Sequence, residues 1–255
     1  MTLFDLSGQV AIVTGSTRGI GRAIAERLAE HGARVVISSR TEANCNEVAA
    51  DIASRYGADR AIGIPASISS KEQLRALVAK SREAFGPISI LVCNAASSPY
   101  YGPMSGLSDE HFRKVLENNV LSNHWLIQAV APDMVAARDG AIIVISSVAG
   151  LRGDDTLGAY GISKAADMQL VRNLAVELGP HNVRVNSIAP GVIRTDFARA
   201  LWENPAMVER VEGRSPLRRF GESDDVAGLA VCLAAPAGRF VTGQVWVVDG
   251  GDTVS

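Results

Sequence analysis

The sequence predicts a single α/β domain in which helices cover both faces of a doubly wound, seven-stranded parallel sheet. Short runs of β-branched and apolar residues alternate along the 255 residues with segments of helical periodicity. The runs are apolar at successive positions, which is typical of strands that are buried on both faces of a parallel sheet. The sequence contains no linker, repeat or low-complexity tract, so we interpret residues 1–255 as one domain.

Each of the first five predicted strands is followed by a helix, and the sixth leads into an irregular stretch before the last helix. The strands are predicted over Val10–Thr14, Arg34–Ser38, Ala61–Ile64, Ile90–Cys93, Ala141–Ser146, Val183–Ile188 and Val245–Val248. The helices are predicted over Ile20–His31, Glu42–Tyr56, Lys71–Phe85, Ser108–Val135, Tyr160–Leu178 and Asp224–Ala234. Glycine at residue 32 and Gly-Pro at residues 86–87 and 179–180 end three of these helices.

Composition and charge exclude several classes of function. Lys plus Arg total 25 and Asp plus Glu total 27, and a net charge of −2 gives no electrostatic reason to expect a nucleic-acid or membrane partner. Cys45, Cys93 and Cys232 are widely spaced, which argues against a disulfide framework and a metal site. The longest apolar run, residues 141–145, is too short to span a bilayer, and no secretory signal is visible. We therefore expect a cytoplasmic protein.

A glycine-rich segment connects the first strand to the first helix. Residues 14–21 read TGSTRGIG, with the spacing GxxxGxG. Ligands of doubly wound sheets bind beyond the carboxyl ends of the strands, where glycines let the backbone approach a pyrophosphate and a helix N-terminus offers free N–H groups. The segment therefore predicts dinucleotide binding, with a plain strand–helix turn as the alternative.

This TGxxxGIG segment, near the start of an α/β chain of about 250 residues, resembles the short-chain dehydrogenase/reductase (SDR) family. The resemblance covers nearly the whole chain. It implies a Rossmann fold that carries NAD(H) or NADP(H) and acts on a small-molecule carbonyl or alcohol substrate. It also implies a homotetramer built on the helices around Ser108–Val135 and Tyr160–Leu178 and on the C-terminal strand.

The end of the second strand favours NADP(H), with NAD(H) as the second candidate. Enzymes that use NAD usually place an acidic residue there to bind the ribose 2′-hydroxyl, but no Asp or Glu lies between Glu30 and Glu42. Arg40 can pair with a 2′-phosphate through its planar guanidinium, Ser39 can add a hydroxyl donor, and Arg18 can reach the same phosphate. The alternative is that both arginines are solvated surface charges.

Further cofactor contacts are implied by the resemblance. Ser67 stands where family members often carry an Asp against the adenine, and residues 94–96 are similar to the family's NAG motif with Ala in place of the glycine. Residues after the sixth strand resemble the family's PG motif, which implies that the backbone around Ile193 binds the nicotinamide carboxamide and that Thr195 lies near a phosphate or the carboxamide. A simple Pro-Gly turn is the alternative. The expected cofactor contacts are Gly15, Ser16, Thr17, Arg18, Gly19, Ile20, Gly21, Ser39, Arg40, Ser67, Ile68, Asn94, Ala95, Ala96, Tyr160, Lys164, Pro190, Gly191, Ile193 and Thr195.

The candidate catalytic pair is Tyr160 and Lys164, which the spacing i, i+4 places on one helix face, one turn apart. A free phenol has a pKa of about 10, and a neighbouring ammonium favours the phenolate. An ammonium beside a tyrosine therefore makes the phenol a usable general acid or base near neutrality.

Two further polar residues complete the candidate catalytic set. Ser147 lies thirteen residues before the tyrosine, at the family's Ser–Tyr spacing, and is expected to bind a carbonyl oxygen; Ser146 is the alternative. Asn119 matches the family's fourth catalytic residue and is expected to hold a water that relays protons; Asn118 is the alternative.

These residues predict an oxidoreductase that transfers hydride reversibly between NADP(H) and a ketone or secondary alcohol, with Tyr160 as general acid/base. The Ser-Ser-Arg segment after the second strand and the Asn-Ala-Ala loop are most similar to the family's NADPH-dependent carbonyl reductases. A 3-oxoacyl-carrier-protein reductase is the alternative, and it requires a basic patch. A non-catalytic dinucleotide sensor is disfavoured by the complete catalytic set. The candidates for the basic patch are Arg210, Arg214, Arg218 and Arg219.

The substrate is expected between three loops, at residues 97–107, 151–158 and 194–216. Packing of a lid or an interface is the alternative for their apolar side chains, and simple solvation is the alternative for their charged ones. The apolar candidates are Tyr100, Leu157, Phe197, Leu201, Trp202 and Met207, and the polar candidates are Arg152, Asp154 and Asp155.

Overall fold

The computed structural model describes residues 2–255, apart from the side chains of Phe197, Ala200 and Leu201. Within these residues, seven parallel strands form one sheet in the order β3-β2-β1-β4-β5-β6-β7. The predicted single-domain Rossmann fold is thereby confirmed. The strands are Val10–Thr14 (β1), Arg34–Ser38 (β2), Ala61–Gly63 (β3), Ile90–Cys93 (β4), Gly140–Ile145 (β5), Val183–Pro190 (β6) and Val245–Val248 (β7).

Most helices occupy the predicted segments, with ends shifted by one or two residues. They are Gly19–Glu30 (α1), Glu42–Tyr56 (α2), Lys71–Phe85 (α3), Asp109–Leu116 (α4), Ser122–Ala137 (α5), Gly158–Leu178 (α6), Arg199–Trp202 (α7), Pro205–Arg214 (α8) and Ser223–Ala234 (α9). Among the described residues, no helix combines the length and apolar character needed to cross a membrane.

Two regions differ from the predicted elements. The stretch interpreted as irregular after β6 contains α7 and α8. Asn204 accepts a hydrogen bond from the N–H of Ala206 and Pro205 stands in the first turn, so α8 begins with ordinary capping chemistry. The single helix predicted over residues 108–135 is divided into α4 and α5 by a π-helical turn at Glu117–Leu121.

Hydrophobic cores lie on both faces of the sheet. Along β1, Ala11 and Val13 belong to one core and Val10 and Ile12 to the other, because successive side chains of a strand point to opposite faces. Helices α1, α2 and α9 pack over the first face, and α3, α5 and α6 over the second. These layers confirm the predicted doubly wound arrangement.

The strand order reverses between β1 and β4, and a crevice opens there beyond the carboxyl ends of the strands. Thr14 and Asn94 hold the two strand ends together. The Thr14 hydroxyl accepts hydrogen bonds from the backbone N–H groups of Asn94 at 3.0 Å and Ala95 at 3.1 Å. In return, Asn94 Nδ2 donates to the Thr14 carbonyl at 2.9 Å. These hydrogen bonds between Thr14 and the loop after β4 hold the glycine-rich segment against that loop.

Candidate active site

A cleft of about 1360 Å³ opens at the carboxyl ends of the strands and is large enough for a dinucleotide with a small substrate. All of the expected cofactor contacts except Ser16 line it. Ser16 is fully buried, and its hydroxyl donates to the Val13 carbonyl at 2.7 Å and accepts from the N–H of Ser38 at 2.9 Å. The Ser16 side chain therefore ties β1 to β2 and does not face the cleft.

The glycine-rich segment fits the phosphates of a dinucleotide. Gly21 packs so tightly that a Cβ there would lie 2.4 Å from both Asn94 Nδ2 and the Gly15 carbonyl oxygen. Glycine is therefore required for the loop to fold back onto β4. Among the described residues, no side chain caps the N-terminus of α1 and no acidic residue lies in its first turn. Its N–H groups and positive dipole end remain available to an anion.

Ser39 and Arg40 lie at the end of β2 and line the cleft. The backbone N–H of Ser39 donates to Cys45 Sγ at 3.2 Å, and the two side chains meet at 3.3 Å. Arg40 is exposed. Arg18 forms an ion pair of 3.7 Å with Asp196, but its side chain stays 70% exposed, so the contact is weak and both arginines are accessible at the cleft.

The two serines that follow β5 have different surroundings. Ser146 is buried, and its hydroxyl donates to the carbonyl oxygen of Lys164 at 2.8 Å. Ser147 is half-buried, and its hydroxyl oxygen accepts from the N–H of Ala149 at 3.1 Å, which leaves its O–H as a donor. Of the two hydroxyls, that of Ser147 is therefore better placed to donate to a ligand oxygen.

Tyr160 and Lys164 lie one turn apart on α6, as the spacing predicts. Lys164 is only 1% exposed, and its Nζ is 5.7 Å from the centroid of the Tyr160 ring. Nζ donates to the Ile145 carbonyl at 2.8 Å and to Asp167 Oδ2 at 3.2 Å. Burial lowers the pKa of Lys164, but the opposing effects, led by the Asp167 carboxylate, outweigh it, so the pKa is raised overall. The ammonium is therefore retained beside the phenol.

Asn119 is fully buried beside the cleft, in the π-helical turn. Its Nδ2 donates to the Ser97 carbonyl and to Ser163 Oγ, both at 3.0 Å, while its Oδ1 accepts from the N–H of Ser97 at 2.8 Å. Asn118 contacts the same loop through Ser97 Oγ at 2.9 Å and lines the cleft. Ser163 precedes Lys164 in the chain, so Asn119 is the asparagine that connects the loop after β4 to the helix of the candidate catalytic pair.

Asp167 and Asn123 extend this buried cluster and are not singled out by the sequence analysis. Asn123 Nδ2 donates to Asp167 Oδ1 at 3.0 Å and to the Asn119 carbonyl oxygen. A signal was present, because Asn123 lies four residues after Asn119 and Asp167 three residues after Lys164. Those spacings place each on the face of a residue already proposed for the site.

The three predicted substrate loops border the cleft. Tyr101 lines it, whereas Tyr100 turns its hydroxyl to the Pro103 carbonyl at 3.0 Å. Leu157, Met207 and the polar candidates also line the cleft, while Trp202 donates to the Thr195 carbonyl at 2.9 Å. The predicted side chains of Phe197 and Leu201 lie outside the described residues.

Asp252 joins two of these loops near the C-terminus. Its Oδ2 accepts a hydrogen bond from Arg152 at 2.5 Å, and its Oδ1 is 3.1 Å from Arg214 Nε. Both arginines line the cleft. One carboxylate thus neutralises charge from the loop after β5 and from the end of α8.

Metal ligands are not grouped in the described part of the chain, because residues 2–255 bring together no three His, Cys, Asp or Glu side chains that could hold an ion. The site offers hydroxyl, phenol and ammonium groups, an uncapped helix N-terminus and exposed arginines, all along one cleft. Such an arrangement can bind a phosphorylated cofactor and move a proton to or from a second molecule.

Comparison with known proteins identifies the family. A family model described as enoyl-(acyl carrier protein) reductase matches residues 15–253. Dehydrogenase/reductase SDR family member 4 of Bos taurus is 39% identical over 247 residues, which cover 96% of this chain and 88% of that protein. The chain belongs to the short-chain dehydrogenase/reductase family and is an oxidoreductase of that type, which acts on CH–OH or C=O groups of small molecules and binds NAD(P).

Solved structures agree with this assignment. A gluconate 5-dehydrogenase from Burkholderia cenocepacia, in complex with NADP and tartrate, superposes with a TM-score of 0.94 at 32% identity and covers 99% of this chain and 98% of its own. A 7α-hydroxysteroid dehydrogenase, complexed with NADH and 7-oxoglycochenodeoxycholic acid, superposes with a TM-score of 0.92 at 36% identity, covering 98% and 96%. Both cofactors thus occur among similar structures, and the choice between them depends on this chain's own residues.

Proposed function

We propose that this protein transfers hydride reversibly between NADP(H) and a ketone or secondary alcohol, with Tyr160 as general acid/base. The observation that carries the proposal is the position of Lys164 Nζ, 5.7 Å from the centroid of the Tyr160 ring, in the same cleft as the glycine-rich segment. Positive charge next to a phenol favours its ionised form, so the phenol can give up and recover a proton.

The residues of the catalytic set have distinct tasks. When bound, the nicotinamide cofactor supplies or accepts the hydride. In the direction of reduction, the Tyr160 hydroxyl donates its proton to the substrate oxygen while the Ser147 hydroxyl donates a hydrogen bond to the same oxygen. In the direction of oxidation, the Tyr160 phenolate accepts the proton of the alcohol. Lys164 stabilises that phenolate and donates to the cofactor ribose.

Asn119 supports a route for the proton that Tyr160 must exchange with solvent. It is locked by three hydrogen bonds to Ser97 and Ser163, and Ser163 Oγ donates to the Tyr160 carbonyl at 2.7 Å. We assign to Asn119 the binding of a water molecule that relays protons between Lys164 and the solvent. A rigid amide in this position keeps such a water at a constant distance from the lysine.

Preference for NADP(H) is proposed from the end of β2. Arg40 is exposed at the cleft and Ser39 stands where a carboxylate would select NAD. A guanidinium can bind the 2′-phosphate in a bidentate manner. Arg18 adds a second positive charge at the edge of the same cleft.

The substrate class proposed is a small ketone or secondary alcohol bound between loops 97–107, 151–158 and 194–216. The gluconate and hydroxysteroid dehydrogenases of similar structure support a hydroxylated or oxo-substituted substrate. The alternative, an acyl-carrier-protein reductase, is less well supported. Two arginines of its required basic patch are already paired, Arg214 with Asp252 and Arg219 with Asp225. The cytoplasmic location stays a prediction.

Replacing the proposed acid/base tests the function. Tyr160→Phe removes the hydroxyl and preserves the ring, so kcat for ketone reduction should fall by at least about 100-fold, the usual contribution of general acid catalysis. The dissociation constant for NADPH, measured by fluorescence titration, should change little. Tyr56→Phe, on α2 and outside the cleft, is the matched control and should keep wild-type activity. A Tyr160→Phe enzyme with nearly unchanged kcat contradicts the proposed role of Tyr160. A wild-type protein that binds NADPH but reduces no ketone supports the alternative of a non-catalytic dinucleotide sensor.

Replacing the proposed phosphate ligand tests the cofactor preference. Loss of a charged hydrogen bond typically costs about 1.5–3 kcal/mol, so Arg40→Ala should lower kcat/KM for NADP by roughly 10- to 100-fold. It should leave kcat/KM for NAD nearly unchanged, because NAD lacks the 2′-phosphate. Arg75→Ala, an exposed arginine on α3, is the control. A wild-type enzyme with a higher kcat/KM for NAD than for NADP shows that the proposed preference for NADP(H) is wrong.

We also propose that the chain forms a homotetramer through α5, α6 and β7. Large apolar side chains are exposed on or beside these elements: Leu121, Ile162, Val176, Trp246 and Val247. Burial of such side chains against identical subunits would remove apolar surface from water. Multi-angle light scattering should give four times the mass of one chain, and a monomeric mass at micromolar concentration would refute the assembly.

A further inference from the structure

Asp167 forms a buried ion pair with the lysine of the proposed catalytic pair. Asp167 is 0% exposed and Lys164 1% exposed, with 3.2 Å between Oδ2 and Nζ. The second carboxylate oxygen, Oδ1, accepts from Asn123 Nδ2 at 3.0 Å. Both oxygens of the carboxylate are therefore engaged inside the protein, and no solvent screens its interaction with the ammonium.

The residues involved form two facing rows on neighbouring helical segments. Tyr160, Lys164 and Asp167 occupy positions i, i+4 and i+7 of α6, which lie on one face of a helix. Asn119 and Asn123 lie four residues apart on the opposing segment. Asn119 donates across to Ser163 and Asn123 across to Asp167, so the opposing segment is hydrogen-bonded to α6 on both sides of Lys164.

Order along the face matters for the electrostatics. Seven helical residues span about 10.5 Å, so Lys164 lies between the phenol and the carboxylate. The Lys164 ammonium is therefore closer to the Tyr160 phenol than the Asp167 carboxylate is. The pair is neutral as a whole, yet it presents its positive end to Tyr160.

A buried ammonium without a counter-charge tends to lose its proton, because burial disfavours the charged form. Three titratable groups face Lys164: Asp167 and Tyr160 from its own helix, and Cys93 from β4. Burial raises the pKa of the Cys93 thiol, which therefore stays neutral. Burial also raises the pKa of Asp167, against the lowering effects of Lys164 and Asn123. Both Asp167 oxygens nevertheless accept hydrogen bonds, from Asn123 Nδ2 and Lys164 Nζ, so of the three groups Asp167 is the one whose contacts are those of a carboxylate.

We propose that Asp167 is a positioning residue for the Tyr160–Lys164 pair, which holds the ammonium in place and keeps it charged over the pH range in which Tyr160 exchanges its proton. The inference rests on the proposed function and extends it. The Ile145 carbonyl and the Asp167 carboxylate fix two of the three N–H donors of Lys164. The direction of the remaining donor is then determined by the first two.

The sign of the expected pH effect follows from the oxidation direction. Alcohol oxidation needs the Tyr160 phenolate and the Lys164 ammonium together, so activity falls at high pH when Lys164 loses its proton. Asp167→Asn preserves the shape and the acceptor for Asn123 but removes the charge. Burial then acts on Lys164 without the carboxylate, and the alkaline limb of the pH profile moves to lower pH.

The experiment compares log(kcat/KM) for alcohol oxidation between about pH 6 and pH 10.5 in four proteins. Asp167→Asn should move the alkaline limb down by about one pH unit or more. Asp167→Glu, which keeps the charge, should restore the wild-type limb even if kcat stays lower. Asp133→Asn is the matched control, because Asp133 also forms an ion pair, with Arg82 at 2.7 Å, away from the cleft. It should destabilise the protein without moving the limb.

An alkaline limb in folded Asp167→Asn that coincides with the wild-type limb overturns the proposal. If Asp167→Asn fails to fold, ¹⁵N NMR of lysine-labelled wild-type protein decides, with Lys164 assigned through Lys164→Arg. A Lys164 side chain that loses its proton below about pH 9 overturns the proposal, and one that stays protonated beyond that pH supports it. Tyr160→Phe distinguishes failure of the proposed function from failure of the proposed role of Asp167. If Tyr160→Phe remains active, the proposed function is wrong, irrespective of the results with the Asp167 variants.

Discussion

The ammonium of Lys164, held without solvent beneath the ring of Tyr160, is the interaction on which the rest of the site depends. An exposed lysine in this position would be screened by water and would influence the phenol weakly. Burial strengthens its field, but burial alone would also remove its charge. In this protein the buried Nζ donates to the Ile145 carbonyl and to the Asp167 carboxylate, and Asn123 holds the other oxygen of that carboxylate. We propose that these contacts keep the charge and its position.

The sheet topology brings this pair to the cofactor cleft. The reversal of strand order between β1 and β4 opens a crevice, and Asn94 fastens the glycine-rich segment to the strand on the other side of it. The segment after β5 supplies Ser147, and α6 returns with Tyr160 and Lys164 over the same edge. The glycine-rich segment and the proposed proton-transfer residues thus line one cleft, although they come from distant parts of the sequence. This juxtaposition is what a hydride-transfer enzyme requires.

The strands, the position of the glycine-rich segment and the location of Tyr160 and Lys164 in the cleft could be predicted because each depends on local chemistry. Apolar runs, a GxxxGxG turn and an i, i+4 spacing are visible in the sequence itself. Other features depend on contacts between distant segments. The buried orientation of Ser16, the bridge from Asp252 to Arg152 and Arg214, and the pairing of Asn123 with Asp167 arise only when the elements pack. Helix α8 was missed although its signals were present, because Asn204-Pro205 is an ordinary start signal and Met207, Val208 and Val211 recur at helical spacing.

The most direct measurement is a crystal structure of the ternary complex with the dinucleotide and a ketone that the enzyme reduces. The ketone oxygen should lie within about 3 Å of both Tyr160 Oη and Ser147 Oγ, with the carbonyl carbon facing the nicotinamide ring. A closed complex in which that oxygen is bound elsewhere, beyond hydrogen-bonding reach of the Tyr160 hydroxyl, would contradict the assignment of proton transfer to this tyrosine.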